Sequence, residues 1–146
     1  EDKNKLKLAA AFQFTYIGIP CIYYGDEVGI SGGYDPLCRK CMIWDEQKQD
    51  RDLLRFYRTL AGIRKSNKCL TYGDYICVYK AGGALAYERL WKDERILVVL
   101  NNSETEYRLE SDKVAGDYED LLSGTDEHIE DTVALMPDDV RILKMI

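Results

Sequence analysis

The stretch Arg-Ile-Leu-Val-Val-Leu-Asn fills residues 95–101 and lies between two turn-forming groups, Lys92-Asp93-Glu94 and Asn101-Asn102-Ser103. Its centre, Ile96–Leu100, is an unbroken run of aliphatic and β-branched residues, which favour a pleated strand. The run is far too short to span a bilayer. Because turn residues bound it on both sides, we predict a β-strand over residues 95–101.

Further segments of the same kind surround this strand in the second half of the chain. Each is short and rich in β-branched or aromatic residues, and turn-forming groups such as Gly82-Gly83 and Ser123-Gly124 separate them. Several short strands with turn signals between them predict an antiparallel sandwich or barrel. The other predicted strands are Tyr75–Lys80, Ala84–Leu90, Glu106–Leu109, Val133–Met136 and Val140–Ile146.

The first half of the chain follows a helical period instead. A helix predicted over Asn4–Ile17 is apolar on both sides, so we expect other elements to cover it. A second helix, Arg51–Lys65, carries one apolar stripe, and Asp50 or Asp52 is the expected amino-terminal cap. Its last residues, Arg64 and Lys65, suit the negative end of the helix dipole.

Between the helices, Cys21-Ile22-Tyr23-Tyr24 is a short run of β-formers with apolar residues on both faces, as in a parallel sheet covered by helices. A long segment without periodicity follows it, up to about Gln49, and loops of this length are usually functional or disordered. Helix-strand-helix followed by all-β segments predicts an α+β chain. We place the boundary between residues 1–68 and 69–146.

Residues 18–29, Gly-Ile-Pro-Cys-Ile-Tyr-Tyr-Gly-Asp-Glu-Val-Gly, resemble the last strand of the catalytic (β/α)8 barrel in the α-amylase family. The segments 35–39 and 42–45 are similar to the loop that follows this strand, except that Cys41 stands where a proline is expected. Residues 84–89 and 96–101 are similar to the β-sandwich behind the barrel. The resemblance is strongest to cyclomaltodextrinase, neopullulanase and maltogenic amylase.

This resemblance implies a carboxy-terminal fragment: the last helix-strand-helix of the barrel and then the antiparallel β-sandwich. The absence of an initiating Met at Glu1 agrees with an excised piece. The family's three catalytic acids come from earlier strands, so we expect no catalytic residue in this chain. Residues 1–50 lack the neighbouring barrel strands, and we expect them to be poorly ordered unless a second copy of the chain or a non-barrel arrangement orders them.

The resemblance also implies that Asp35 and Arg39 contact a glucose unit on the non-reducing side of the scissile bond. A carboxylate accepts from sugar hydroxyls and a guanidinium donates in a fixed fork, although a simple salt bridge within the loop is the alternative. Asp26 and Glu27 are expected to be structural acids, because neighbouring strand residues point to opposite faces. Tyr34 and Trp44 are candidates either for stacking on sugar rings or for packing.

The composition limits which molecules this chain is expected to bind. The net charge of -6 and the pI of about 4.9 argue against nucleic acid. Five cysteines leave at least one unpaired, which favours a reducing cytoplasm. Cys38 and Cys41 form a C-x-x-C pair, but two reduced thiols are favoured over half a zinc site, and we expect no metal or cofactor. The single histidine, His128, is expected on the surface without a partner.

The leading hypothesis is the carboxy-terminal part of an enzyme that hydrolyses α-glucosidic bonds in maltodextrins, cyclodextrins or pullulan. Its expected partners are these glucans and a second copy of the chain, with no nucleic acid and no membrane. Two alternatives remain open at this point. One is a carbohydrate-binding module in which the β part itself binds starch. The other is a non-catalytic amylase-like domain that associates with other proteins.

Overall fold

The strand predicted at residues 95–101 lies inside a mostly antiparallel β structure. The computed structural model describes residues 2–146, and the strands in that range are β1 (Asp74–Ala81), β2 (Ala84–Trp91), β3 (Glu94–Asn101), β4 (Tyr107–Glu110), β5 (Gly116–Asp120), β6 (Thr125–Ile129), β7 (Thr132–Leu135) and β8 (Asp139–Met145). Six of them form a sheet in the order β1-β2-β3-β8-β5-β6, and β4 pairs with β7 in a second sheet. Every pairing is antiparallel. The predicted sandwich-like β domain is therefore confirmed.

Strand β3 divides the core in two because successive side chains point to opposite faces of the sheet. Ile96, Val98 and Leu100 join a cluster with the helices. Leu97 and Val99 join a second cluster with the small β4–β7 sheet. These five side chains are between 0% and 5% exposed. The large sheet is thus covered by helices on one face and by the small sheet on the other.

The helices in residues 2–146 are α1 (Lys3–Thr15), α2 (Arg51–Ser66) and the single turn α3 (Cys69–Tyr72). The carboxylate of Asp50 accepts a hydrogen bond from the backbone N–H of Leu53 at 3.0 Å and caps α2, as predicted. The apolar stripe of α2 faces the sheet, and Leu8, Ala11 and Phe14 of α1 are buried in the same cluster. Residues 1–50 were expected to be poorly ordered unless a second copy or another arrangement orders them, and α1 packs on the sheet within the single chain.

The strand expected at Cys21–Tyr24 is absent from the structure. Residues 21–23 have no regular secondary structure, Tyr24 lies in a turn, and a 3₁₀ turn follows at Asp26–Val28. Glycines in the left-handed region flank that turn, Gly25 with φ 92° and Gly29 with φ 78°. No strand in the described residues lies beside residues 21–24, so their backbone groups have no ladder to join. The predicted strand does not form because the chain supplies no neighbouring strand for it, which agrees with the expectation that residues 1–50 lack their barrel neighbours.

Two arginines from other elements hold the carboxy-terminal end of α1. Arg89 on β2 is 1% exposed, and its guanidinium donates to the carbonyl oxygens of Thr15 at 2.7 Å and Gly73 at 2.9 Å. Arg64 on α2 donates to the carbonyl of Phe14 at 2.6 Å. Arg64 was predicted to favour the end of its own helix, and it also caps its neighbour. The last carbonyls of a helix lack intrahelical partners, so these contacts fix α1 on the sheet.

Sequence patterning missed three elements: β5, β6 and the turn α3. The strands β5 and β6 are rich in Asp and Glu, which are depleted in strands generally. They tolerate these residues because they lie toward one end of the sheet, with β6 outermost, and the side chains of Asp117, Asp126 and His128 are exposed. Tyr118 and Asp120 on β5 are buried, and the Asp120 carboxylate accepts a hydrogen bond from Arg141 Nε at 2.9 Å. The Ser123-Gly124 turn that was recognised is the connection between these two strands.

Candidate functional site

The candidate site is the irregular segment between the 3₁₀ turn and α2. Residues 30–49 contain no helix or strand, as the absence of periodicity predicted. Within this segment the Arg39 guanidinium forms a bidentate ion pair with the Asp35 carboxylate. Arg39 Nε lies 3.0 Å from Asp35 Oδ1, and Arg39 Nη2 donates to Asp35 Oδ2 at 3.0 Å. The side chains are 69% and 61% exposed, so the pair is presented to solvent.

The turn that carries this pair is supported by hydrogen bonds at its base. The backbone N–H of Arg39 donates to the carbonyl of Pro36 at 3.0 Å. The hydroxyl of Tyr24 donates to the carbonyl of Lys40 at 2.9 Å, and Lys40 Nζ donates to Ser31 Oγ at 3.2 Å. Sequence reasoning assigned Tyr24 to a buried strand and missed this role. The available signal was its position beside a long polar loop, where a tyrosine hydroxyl can find a carbonyl.

Asp26 and Glu27 are built into the turn beneath the loop. The carboxylate of Glu27 accepts a hydrogen bond from the backbone N–H of Gly25 at 2.9 Å. Burial, reinforced by the negative charges of Asp26 and Glu27, raises the pKa of Tyr57 on α2 to about 12. Both acids therefore lie near the buried face of α2. This agrees with a structural role for Glu27, whose bond closes the turn.

The aromatic candidates Tyr34 and Trp44 are open to solvent, with 95% and 81% of their surfaces exposed. Neither ring is therefore packed in the core that residues 2–146 form. His128 on β6 is on the surface, as expected. The prediction that it lacks a partner was wrong, because its Nδ1 lies 2.6 Å from a carboxylate oxygen of Asp117 on the paired strand β5.

The cysteines do not assemble into a site. Throughout the described part of the chain every cysteine is a free thiol. Cys69 is buried, and that burial, together with the nearby Glu94 carboxylate, raises the pKa of its thiol to about 12. Within residues 2–146, no group of three or more His, Cys, Asp or Glu side chains is positioned to hold a metal ion. No helix in the same range has both the length and the apolar character needed to cross a membrane.

Comparison with known proteins identifies relatives of this chain. Residues 79–141 match the family described as the alpha amylase C-terminal all-beta domain. A cyclomaltodextrinase from Thermoanaerobacter pseudethanolicus is 48% identical over 118 residues, which are 81% of this chain and 20% of that protein. An intracellular maltogenic amylase from Bacillus subtilis is 40% identical over 104 residues, or 69% of this chain and 18% of that protein.

A solved structure of a cyclomaltodextrinase superposes with a TM-score of 0.85 at 36% identity, covering 97% of this chain and 26% of that one. The chain thus spans about a fifth of the length of the curated relatives it matches. These matches support the glycosidase hypothesis over a carbohydrate-binding module or an interaction domain. The chain belongs to the α-amylase family, in which it corresponds to the C-terminal all-beta domain and the residues that precede it.

Proposed function

We propose that the chain is the carboxy-terminal part of a cytoplasmic enzyme that hydrolyses α-glucosidic bonds in maltodextrins, cyclodextrins or pullulan. In this proposal residues 1–68 are the end of a (β/α)8 barrel, in which Cys21–Tyr24 becomes the last strand only by pairing with strands outside this chain, and residues 69–146 are the sandwich behind it. Relatives named cyclomaltodextrinase and intracellular maltogenic amylase support the substrate class and the compartment. The free thiols also fit a reducing compartment.

The observation that carries the proposal is the solvent-facing pair of Asp35 and Arg39. An exposed ion pair contributes only about 0–1 kcal/mol to stability, so folding alone gives little reason to hold the two groups in a bidentate geometry. The pair uses two of the five guanidinium N–H groups. The remaining donors, together with the free lone pairs of the carboxylate, can bind the hydroxyls of one glucose unit. We therefore assign substrate binding to Asp35 and Arg39.

The decisive experiment replaces each residue in the full-length enzyme. Asp35→Ala and Arg39→Ala should each lower kcat/KM for a maltodextrin by about 30-fold, which corresponds to about 2 kcal/mol of lost charged hydrogen bonds. A matched control is Glu106→Ala, which breaks the exposed ion pair between Glu106 and Arg108 on β4. The control should retain the parent kcat/KM. Unchanged kcat/KM in both loop variants would mean that Asp35 and Arg39 form only a salt bridge and do not bind substrate.

A second experiment concerns the chain of residues 1–146 alone. The proposal places the nucleophile and the acid/base catalyst outside this chain, and retaining hydrolysis needs both carboxylates. The purified chain should therefore release no product from a chromogenic maltoside above the rate of a buffer blank. Turnover that copurifies with the chain through two different columns would contradict the assignment of catalysis to other residues.

A further inference from the structure

We propose that Arg51, Arg55 and Arg58 on α2 form a binding site for a phosphate group, a function that lies beyond the proposed glycosidase activity. The spacing of the three residues along α2 places them on one face of the helix. Together they line a cavity of about 250 Å³. The other residues that line this cavity are Glu46, Gln49 and Leu54.

The stability of α2 does not explain why three arginines share this face. Side chains of like charge that lie three or four positions apart on a helix repel each other and destabilise it. Arg51 is also the first residue of α2, where the positive end of the helix dipole disfavours a cation. The arrangement therefore opposes helix formation, and a ligand of negative charge would give it a purpose.

The positive charge of the cavity is only partly balanced by the chain itself. Within residues 2–146 the Arg58 guanidinium has no ion pair and no hydrogen bond. Arg55 Nη2 lies 3.5 Å from Asp52 Oδ1, but the other oxygen of that carboxylate is nearer to Lys7 Nζ, at 2.7 Å. Three guanidinium groups and one carboxylate line the cavity, which gives it a formal charge of +2 in a chain of net charge -6.

Phosphate is the ligand class that suits this lining. A guanidinium presents its N–H groups in a planar fork, which binds two oxygens of one phosphate group at once. The cavity is smaller than the range of about 300–1,000 Å³ found for drug-sized ligands, so it fits a phosphate ion or a small phosphate ester. All three arginines are exposed, so an ion in solution reaches them directly.

Glu46 is the group that should compete with the ligand. Its carboxylate oxygen Oε2 accepts a hydrogen bond from Arg51 Nη2 at 2.7 Å and thus occupies one of the three cations. Its negative charge also repels an incoming phosphate. Removing this charge should therefore tighten phosphate binding, whereas the same change would weaken binding if Glu46 were needed to shape the cavity.

The test is an NMR titration of the chain of residues 1–146 with inorganic phosphate, in which sodium chloride keeps the ionic strength constant. The Nε–H signals of the three arginines should shift together, with a dissociation constant on the order of 1 mM. Arg58→Ala should weaken binding at least about fivefold because charged hydrogen bonds are lost. Glu46→Gln should tighten binding about twofold because a competing charge is removed. Arg108→Ala removes an exposed arginine of β4 and, as the matched control, should bind phosphate like the parent.

A parallel titration with glucose 1-phosphate distinguishes the two sources of a phosphate group. Tighter binding of this ester than of inorganic phosphate would assign the site to phosphate esters, and equal or weaker binding would assign it to the free ion. Both results support the site, provided that Arg58→Ala weakens them.

Four results would overturn the inference. One is the absence of any shift up to about 20 mM phosphate. Another is an equal shift on addition of sodium chloride alone, which would mean ionic screening without a site. The third is an undiminished response in Arg58→Ala. The last is a response lost in Arg39→Ala, which would place the ion at the Asp35–Arg39 loop. The assignment of substrate binding to that loop rests on kcat/KM of the full-length enzyme, so the two proposals fail separately.

Discussion

Two short apolar runs of this chain, Cys21–Tyr24 and Ile96–Leu100, are both made of residues that favour β structure, yet only the second forms a strand. Ile96–Leu100 lies between β2 and β8, and its side chains are at most 5% exposed. The other run has no paired neighbour among residues 2–146, and Ile22, Tyr23 and Tyr24 are 41%, 50% and 45% exposed. The difference teaches that a strand apolar on both faces is defined by its neighbours rather than by its own composition.

The two runs also differ in what surrounds their side chains. Leu97 and Val99 pack under the small sheet, and Val98 packs under the helices, so each face of β3 is covered. The hydroxyl of Tyr24 instead supports the loop that carries Asp35 and Arg39. One run therefore stabilises the domain, and the other positions the candidate site. The following predictions test that division, beginning with the largest expected effect.

Hydrogen exchange should separate the two runs most widely. The amides of Ile96–Leu100 should open only with global unfolding, which gives protection factors above about 10³ in a domain of ordinary stability. The amides of Ile22–Tyr24 should exchange with protection below about tenfold, because no sheet partner holds them. Mass spectrometry of the dilute monomer measures both segments in one sample. Equal protection in a monomer would show that the first run has a partner in solution.

The same substitution in each run should have unequal effects on stability. Ile96→Ala removes a fully buried side chain and should lower the free energy of unfolding by about 2–5 kcal/mol. Ile22→Ala removes a side chain that is 41% exposed and should change it by less than about 0.5 kcal/mol. Urea unfolding followed by circular dichroism gives both values. A large loss in Ile22→Ala would mean that residues 21–24 are buried in solution.

Removing the arginine that anchors α1 should have an intermediate effect. Arg89→Met leaves the carbonyls of Thr15 and Gly73 without their charged donor, and it should lower the free energy of unfolding by about 2–3 kcal/mol. Arg58→Met, on the exposed side of α2, is the matched control and should cost less than about 0.5 kcal/mol. Exchange at the end of α1 should accelerate only in the first variant. Similar losses in both would dismiss Arg89 as an anchor.

The smallest expected effect belongs to the candidate site itself. Asp35→Asn breaks an ion pair whose two side chains are more than 60% exposed, so the free energy of unfolding should change by less than about 0.5 kcal/mol. The melting temperature of the purified chain should therefore match that of the parent. A loss above about 1 kcal/mol would assign the pair to folding and weaken the case for substrate binding.

The residues that sequence analysis placed correctly share one property: their signal is local. The stripe of α2, its cap at Asp50 and the turn-bounded run of β3 depend on spacing within one element. The candidate pair, Asp35 and Arg39, was instead proposed from the family resemblance of residues 35–39, and the structure brings the two side chains together. The acidic strands β5 and β6 were missed, because the exposure that lets them carry Asp and Glu depends on their place in the sheet, which composition does not reveal.

The sequence by itself therefore determined the antiparallel β domain, the two long helices and the family resemblance that led to Asp35 and Arg39. Only the tertiary structure decided that α1 packs on the sheet. It also decided that Tyr24 supports the site loop from a residue 16 positions away. Arg89 and the carbonyl it holds at Thr15 are 74 residues apart. Backbone pairing and helix capping of this kind depend on groups distant in the chain, so no local pattern can specify them.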